Sequence, residues 1–201
     1  MRHITLKFST IHQYGGAFCD YLRLRKRFFV DELGWDIPHD DELEMDQYDN
    51  PRTHYSVVLR GNRVLGGARV MPTTGGWGPA SYMVRDAYQG RLDGIPQEVM
   101  PTDVASTELW ECSRLVIADD LDRHEKAEAL DHVVAGLVEV AEAHGARELM
   151  TLSTLAVLRA LRGLGYDVHR MGERYRDPGD GRLYAVMSMP VHRAEAVMAA
   201  E

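Results

Sequence analysis

Apolar positions along the chain change period several times, and each change marks an element. Residues 3–8 alternate weakly, as an edge strand does. From about Tyr14 the period becomes helical, with Phe18, Tyr21, Leu22, Phe28 and Phe29 on one face and Arg25 sharing it. His54 to Arg60 and Arg63 to Met71 are β-rich runs separated by Gly61-Asn62, a two-residue turn that suits primed geometries. Residues 74–104 carry Gly75, Gly76, Gly78, Pro79, Gly90, Gly94, Pro96 and Pro101, with short helical turns expected around Met83–Tyr88. So long an irregular section is uncommon in a compact domain unless it serves as a lid or binding loop.

Thr107 to Ile117 reads as a central strand. Alternation puts Glu111, Ser113 and Leu115 on one face and Cys112 and Arg114 on the other, so Glu111 and Arg114 share a site only if a bulge intervenes. Asp122 and Glu125 have capping-box spacing ahead of a long helix whose Leu130, Val133, Val134, Leu137, Val138 and Ala141 hold one face. His144-Gly145 ends it. Arg147 to Ser153 is a short buried strand, and Thr154 to Leu164 a second amphipathic helix closed by Gly163 and Gly165. Val168 to Tyr175 and Arg182 to Pro190 form a closing strand pair around Asp177-Pro178-Gly179-Asp180-Gly181.

That order predicts an α/β fold: a single mixed, mostly antiparallel sheet of roughly seven or eight strands with helices on both faces. No repeat or linker divides residues 1–201, so one domain is expected. The order is similar to that of the acetyltransferase-like (GNAT-like) three-layer sandwich that binds acyl thioesters. The glycine-rich pyrophosphate loop usual in that fold is replaced here by Ala118-Asp119-Asp120-Leu121-Asp122-Arg123-His124, which is acidic and lacks glycine. A net charge of −8 argues against a nucleic-acid partner. Cys19 and Cys112 read as reduced thiols, the N-terminus lacks a signal-like apolar region, and no run approaches a membrane span. A cytoplasmic protein without a membrane span is expected.

Candidate chemistry concentrates between Arg25 and Asp49. Trp35 follows Gly34 at a helix exit, where its ring is free to wall a pocket. Glu44, Asp46 and Asp49 then follow at short intervals. A small cationic ligand with a flat, adenine-sized ring suits such a place, although a solvated acidic loop would have the same composition. Arg25, on an apolar face, needs a partner if buried and otherwise snorkels to water.

Four motifs in order carry a resemblance. Arg25, Phe29 and Trp35 come first; Glu44, Asp46 and Asp49 then match E-x-D-x-x-D. Gly66, Arg69, Pro72 and Thr73 match G-x-x-R-x-x-P-T, and Glu111, Ser113 and Arg114 match E-x-S-R. Over roughly residues 20–190 the chain resembles the acyl-homoserine-lactone synthases, the LuxI-type autoinducer synthases of bacterial quorum sensing. Phe28, where a valine is common, is one small departure.

The resemblance implies acyl transfer followed by ring closure. A fatty acyl thioester, on acyl carrier protein or in some members coenzyme A, acylates the α-amine of S-adenosylmethionine (SAM). The product's carboxylate then closes a lactone and expels 5′-methylthioadenosine (MTA). SAM is thus a consumed substrate, and no permanently bound cofactor is expected. Glu111 is the candidate general base, with a structural tie to Arg114 as its alternative. Backbone N–H groups at a bulge near Ser113–Leu115, around Arg114, would stabilise the oxyanion. Arg25, Phe29, Trp35, Asp46, Asp49 and Arg69 would form the SAM site, Arg69 holding the substrate carboxylate and the two aspartates holding its cationic end or locking the arginines. Met150, Thr151, Ser153 and Leu155 would line the acyl pocket, Ser153 or Thr154 serving equally well as a cap of the following helix. Arg159 and Arg162, extended by Arg170 and Arg174, would receive the acidic carrier, unless they form an ordinary solvated face. The histidines lack H-x-x-x-H-type spacing, and no metal is expected. An N-acetyltransferase using acetyl-coenzyme A and an inactive ligand-binding module on the same fold are the alternatives.

Overall fold

Strand β1 (Arg2–Lys7) lies at a sheet edge against β2 (His54–Arg60), which turns through Gly61-Asn62 into β3 (Arg63–Pro72). The computed structural model describes residues 1–194; the last part of the expected 1–201 domain, residues 195–201, lies outside them. Helix α1 (Ala17–Arg25) precedes β2, and α2 (Met83–Tyr88) occupies the long irregular section. After β4 (Leu109–Ile117) come α3 (Arg123–Ala143), β5 (Glu148–Thr154), α4 (Leu155–Gly163), β6 (His169–Arg170), β7 (Tyr175–Arg176) and β8 (Leu183–Pro190). The eight-stranded sheet runs β1-β2-β3-β4-β5-β8-β6 with β7 also on β8, and only the β4–β5 pair is parallel.

Helices cover both faces, as the order of elements predicted. Gly67 approaches α1 so closely that an added Cβ would stand 2.8 Å from the Tyr21 ring. Its neighbour in the alternation faces the other way: Ser56, paired with Ala68, meets Gly136 of α3, where a Cβ would stand 2.3 Å from Ser56 Oγ. Helix α3 opens on the expected capping box, with Asp122 accepting from the Glu125 N–H and Glu125 from the Asp122 N–H.

Two features of the sheet position the site. Gly67 pairs with Val116 and Arg69 with Ser113, so Ala68 stands opposite both Arg114 and Leu115. This is the conditional bulge, and Arg114 takes φ +55° within it, a conformation few non-glycine residues adopt. The β4–β5 pairing also stops at Cys112–Thr151 although both strands continue. A cavity of about 40 Å³ lies beside this parting, bounded by Ser113, Leu115, Leu137, Thr151, Val157 and Leu161.

The structure corrects three expectations. The first helix begins at Ala17 after a 3₁₀ turn and Gly15, not at Tyr14, and then widens into π-helical turns over Lys26–Glu32. The predicted strand Val168 to Tyr175 is broken into β6 and β7; between them Gly172 is pressed against the Val99 carbonyl, where a Cβ would lie 2.0 Å away, and the chain leaves the sheet. The central strand starts at Leu109 rather than Thr107.

Candidate active site

The face of α1 turned to the sheet delivers Arg25 into the protein, wholly buried. It neither snorkels nor lacks a partner. Its Nη1 and Nη2 donate to the two oxygens of Asp49 at 2.8 Å each, and Nε donates to Glu44 at 2.5 Å. Arg69, from β3, donates to Asp46 at 2.5 and 3.0 Å, to Asp49 at 2.9 Å and to the Ser113 hydroxyl at 2.8 Å. Arg114 donates to Glu44 at 3.1 Å and to Asp46 at 2.8 Å. Without the bulge its side chain would leave on the opposite face. Three guanidiniums thus alternate with three carboxylates, and the reading of Glu44, Asp46 and Asp49 as a solvated loop does not hold: all three are buried.

The electrostatics follow from that closure. Burial alone would raise the carboxyl pKa of Asp46 and Asp49; the charges of Arg69 and Arg114 on Asp46, and of Arg69 and Arg25 on Asp49, outweigh it and hold both low. Tyr48 N–H adds a hydrogen bond to Asp46 at 2.9 Å, and the Tyr55 hydroxyl one to Asp49 at 3.1 Å. The aspartates therefore direct their lone pairs mainly to protein donors. Sequence reasoning missed both tyrosines. Tyr48 lies inside the E-x-D-x-x-D run, but nothing in its spacing marks it.

Glu111 lies apart from the ion pairs. It makes no bond to Arg114, its expected structural partner; instead its two oxygens accept the Met83 and Val84 N–H groups at 3.0 and 2.8 Å. These are the first amides of α2, so the irregular section places a helix end on this carboxylate. Complete burial raises the Glu111 pKa to about 7, against the opposing pull of those two amides and of Arg69. Asp86 holds α2 in turn, accepting from Ser81 N–H at 3.2 Å and Tyr48 Oη–H at 2.8 Å. Sequence reasoning did not single out Asp86.

Above the network, Phe29 and Trp35 stack with ring centroids 5.0 Å apart, and the Arg114 guanidinium lies 5.4 and 5.9 Å from the two rings. The residues expected at the acyl chain separate. Thr151 lines the cavity between β4 and β5; Met150 contributes to its wall, yet its side chain packs on the opposite face with Met71, Val84 and Val186. Ser153 and Leu155 are outside the lining. Of the two cap alternatives it is Thr154, not Ser153, that takes the N-cap position of α4, without a side-chain hydrogen bond. On α4, Arg159 is exposed, and among the described residues it makes no ion pair; Arg162 is also exposed but ties its guanidinium to the Val168 carbonyl at 2.6 and 3.1 Å. Arg170 and Arg174 are exposed. Among the described residues, no group of three or more His, Cys, Asp or Glu side chains is placed to hold a metal, and no helix is long and apolar enough to cross a membrane.

Comparison with known proteins gives this geometry a context. The family model described as "Autoinducer synthase" matches residues 12–197. An acyl-homoserine-lactone synthase of Acinetobacter nosocomialis is 33% identical over 166 residues, covering 78% of this chain and 84% of the relative. TofI, solved in a ternary complex with an inhibitor and MTA, superposes with a TM-score of 0.74 at 26% identity, covering 95% of this chain and 92% of TofI. BjaI, a CoA-dependent acyl-homoserine lactone synthase solved with SAM and isopentyl-CoA, superposes at TM-score 0.73 and 22% identity over 94% of this chain and 82% of its own. The GNAT-like character of the sheet is shared with Escherichia coli ElaA, at TM-score 0.58 and 13% identity over 94% of this chain and 99% of ElaA. With the family model spanning nearly the whole fold, the chain belongs to the autoinducer synthases and is an acyltransferase of the acyl-homoserine-lactone synthase type.

Proposed function

We infer that the enzyme moves a fatty acyl group from acyl carrier protein to the α-amine of SAM and then closes the lactone. The observation carrying this is Glu111, a wholly buried carboxylate on the sheet face that also bears Arg69 and Ser113, its pKa pushed up to about 7 by burial. An ammonium is not a nucleophile; Glu111 takes its proton, directly or through water, and the free amine attacks the thioester carbonyl. Backbone N–H groups at the Ser113–Leu115 bulge stabilise the oxyanion, and the amide forms as the thiolate leaves and is protonated. The carboxylate oxygen of the acylated SAM then attacks its γ-carbon, the carbon–sulfur bond breaks, and MTA departs as a neutral thioether.

Closure of the ion network changes the SAM assignments. Arg69 is wholly buried and points its guanidinium at Asp46, Asp49 and Ser113, so it supports the site from below. Arg114 takes the substrate carboxylate: it adjoins Phe29 and Trp35, and among the described residues its Nη1 meets only the Met83 sulfur, at 3.9 Å. Phe29 and Trp35 wall the adenosyl side, and Arg25, Asp46 and Asp49 hold that wall in place. Thr151 faces the acyl chain from the cavity, with Met150 behind it. Production of the lactone as a quorum-sensing signal in the cytoplasm is part of the same reading.

Product analysis tests it. Purified enzyme with SAM and an acyl donor should release one MTA per lactone formed. S-adenosylhomocysteine as the product would mean methyl transfer and end the proposal. The acyl profile should also change in Thr151→Val; an unchanged profile would remove Thr151 from the acyl site.

The carrier-protein donor rests on Arg159, which is exposed on α4, the helix whose Val157 and Leu161 line the cavity. An acidic carrier needs such a local basic patch against a net charge of −8. Arg159→Glu, alone and with Arg162→Glu, should raise KM for acyl carrier protein several-fold, leave that for SAM unchanged and blunt the salt dependence. A thermal melt of the double variant separates this from loss of the Arg162–Val168 tie. Equal turnover with acyl-coenzyme A, unaffected by the reversal, would assign the other donor.

A further inference from the structure

The turn between β7 and β8 reaches across the site to Trp35. One oxygen of Asp180, Oδ2, accepts both the Trp35 indole N–H at 3.1 Å and the Tyr184 hydroxyl at 2.6 Å. Its other oxygen accepts the Arg182 N–H at 2.8 Å, and the Asp180 N–H is itself held by Asp177 Oδ1 at 3.0 Å. Gly181, at φ +70°, lets the chain close this turn. Nearby, the Arg182 guanidinium lies 5.9 Å from the Phe28 ring, so the hairpin meets the π-helical segment at Phe28 and the chain beyond it at Trp35. Tyr184 is 6.1 Å from the Trp35 ring, stacks on Tyr175 and pairs across the sheet with Thr154 of β5.

An indole in a flat stack has freedom to slide and rotate. Here the stack on Phe29 sets its plane, and a hydrogen bond to its single donor sets its rotation within that plane. That acceptor comes from a segment 145 residues away, outside the four sequence motifs. We propose that Asp180 is a positioning residue for the acceptor substrate: with Tyr184 it fixes the Trp35 indole beside Phe29 and Arg114, and so sets how well the site takes SAM. This rests on Trp35 walling the SAM site.

Asp180→Ala should raise KM for SAM about fivefold to tenfold, the effect of losing a typical hydrogen bond, and leave KM for the acyl donor unchanged. Tyr184→Phe keeps the Trp35 contact and should cost less, and Asp180→Asn, which retains an oxygen acceptor, should recover much of the affinity. The deciding measurement is a double-mutant cycle with Trp35→Phe, which has no indole N–H: in that background Asp180→Ala should add almost nothing. Losses that add fully, or an unchanged SAM KM in a folded Asp180→Ala protein, would overturn the proposal. Trp35 fluorescence, taken as the difference from Trp35→Phe, should change with Asp180→Ala even without substrate. If the wild-type enzyme neither bound nor consumed SAM, the functional reading would fall. The fluorescence difference would then decide on its own whether Asp180 positions the indole, and no change in it would end this proposal too.

Discussion

Arg69→Met should destabilise the fold by about 3–5 kcal/mol, the scale for leaving a buried charge without its partner. Total stabilities of domains are only about 5–15 kcal/mol, so the variant would sit near the threshold of folding. The reason is geometric. Arg69 is the guanidinium that joins Asp46 to Asp49, and its removal leaves three buried carboxylates, Glu44 among them, sharing Arg25 and Arg114. The pH dependence identifies the cause. In the wild type both aspartates have depressed pKa values, so their contribution is complete above the unfolded value of about 3.9 and is lost as pH falls below it. In Arg69→Met, burial prevails over the weakened attraction and the pKa values rise. The folded form then holds more protons than the unfolded form above pH ~4, and stability falls as pH increases. Urea unfolding at pH 4.5 and 7.5 distinguishes the two: the wild type should lose over this range only what the titration of Glu111 costs it, and the variant clearly more. A cost under about 1 kcal/mol with no change in pH dependence would show the network to be surface-like in its energetics.

How much of this was legible in the sequence depends on the range over which each feature is determined. The hairpin at Gly61-Asn62 and the Asp122–Glu125 cap are local, and the structure has both. Alternation along β4 gave the condition for a bulge, because Glu111 and Arg114 have opposite parity; only the pairing with β3 showed that Ala68 absorbs the extra residue. Arg25 on an apolar face was a visible anomaly whose resolution depended on acids 19 and 24 residues downstream. The π-helical turns over Lys26–Glu32 leave no such trace in the apolar spacing; only their Phe29, which with Trp35 lies against Arg114 from the distant strand β4, shows what they place. Least legible were contacts made by loop closure. The α2 amides on Glu111 come from 27 and 28 residues away, and the Asp180 bond to Trp35 joins a turn signal to an aromatic near the other end of the chain.

Glu111→Gln should lower turnover about 10²-fold or more, the scale for losing a general base. The amide keeps the shape of the side chain but has one oxygen where the carboxylate has two. Because both oxygens of Glu111 accept α2 amides, glutamine turns its NH₂ group toward either Met83 N–H or Val84 N–H and leaves that donor unsatisfied. Some loss of stability around α2 is therefore expected, and SAM binding with a thermal melt must show that the variant is folded. The pH profile separates chemistry from packing. With the Glu111 pKa of the free enzyme raised to about 7, kcat/KM of the wild type should climb tenfold per pH unit below 7 and level above it, as the base becomes free of its proton. That limb should be absent from the residual activity of Glu111→Gln. Stability carries the same signature with a definite sign. Between about pH 4.5 and 7 the folded protein holds a proton on Glu111 that the unfolded chain has released, so the wild type loses stability as pH rises through this window. A glutamine does not ionise, and its variant should lack that slope. A folded variant with near-wild-type turnover, or with the acid limb intact, would make Glu111 an anchor for α2 and send the search for the base elsewhere in the site.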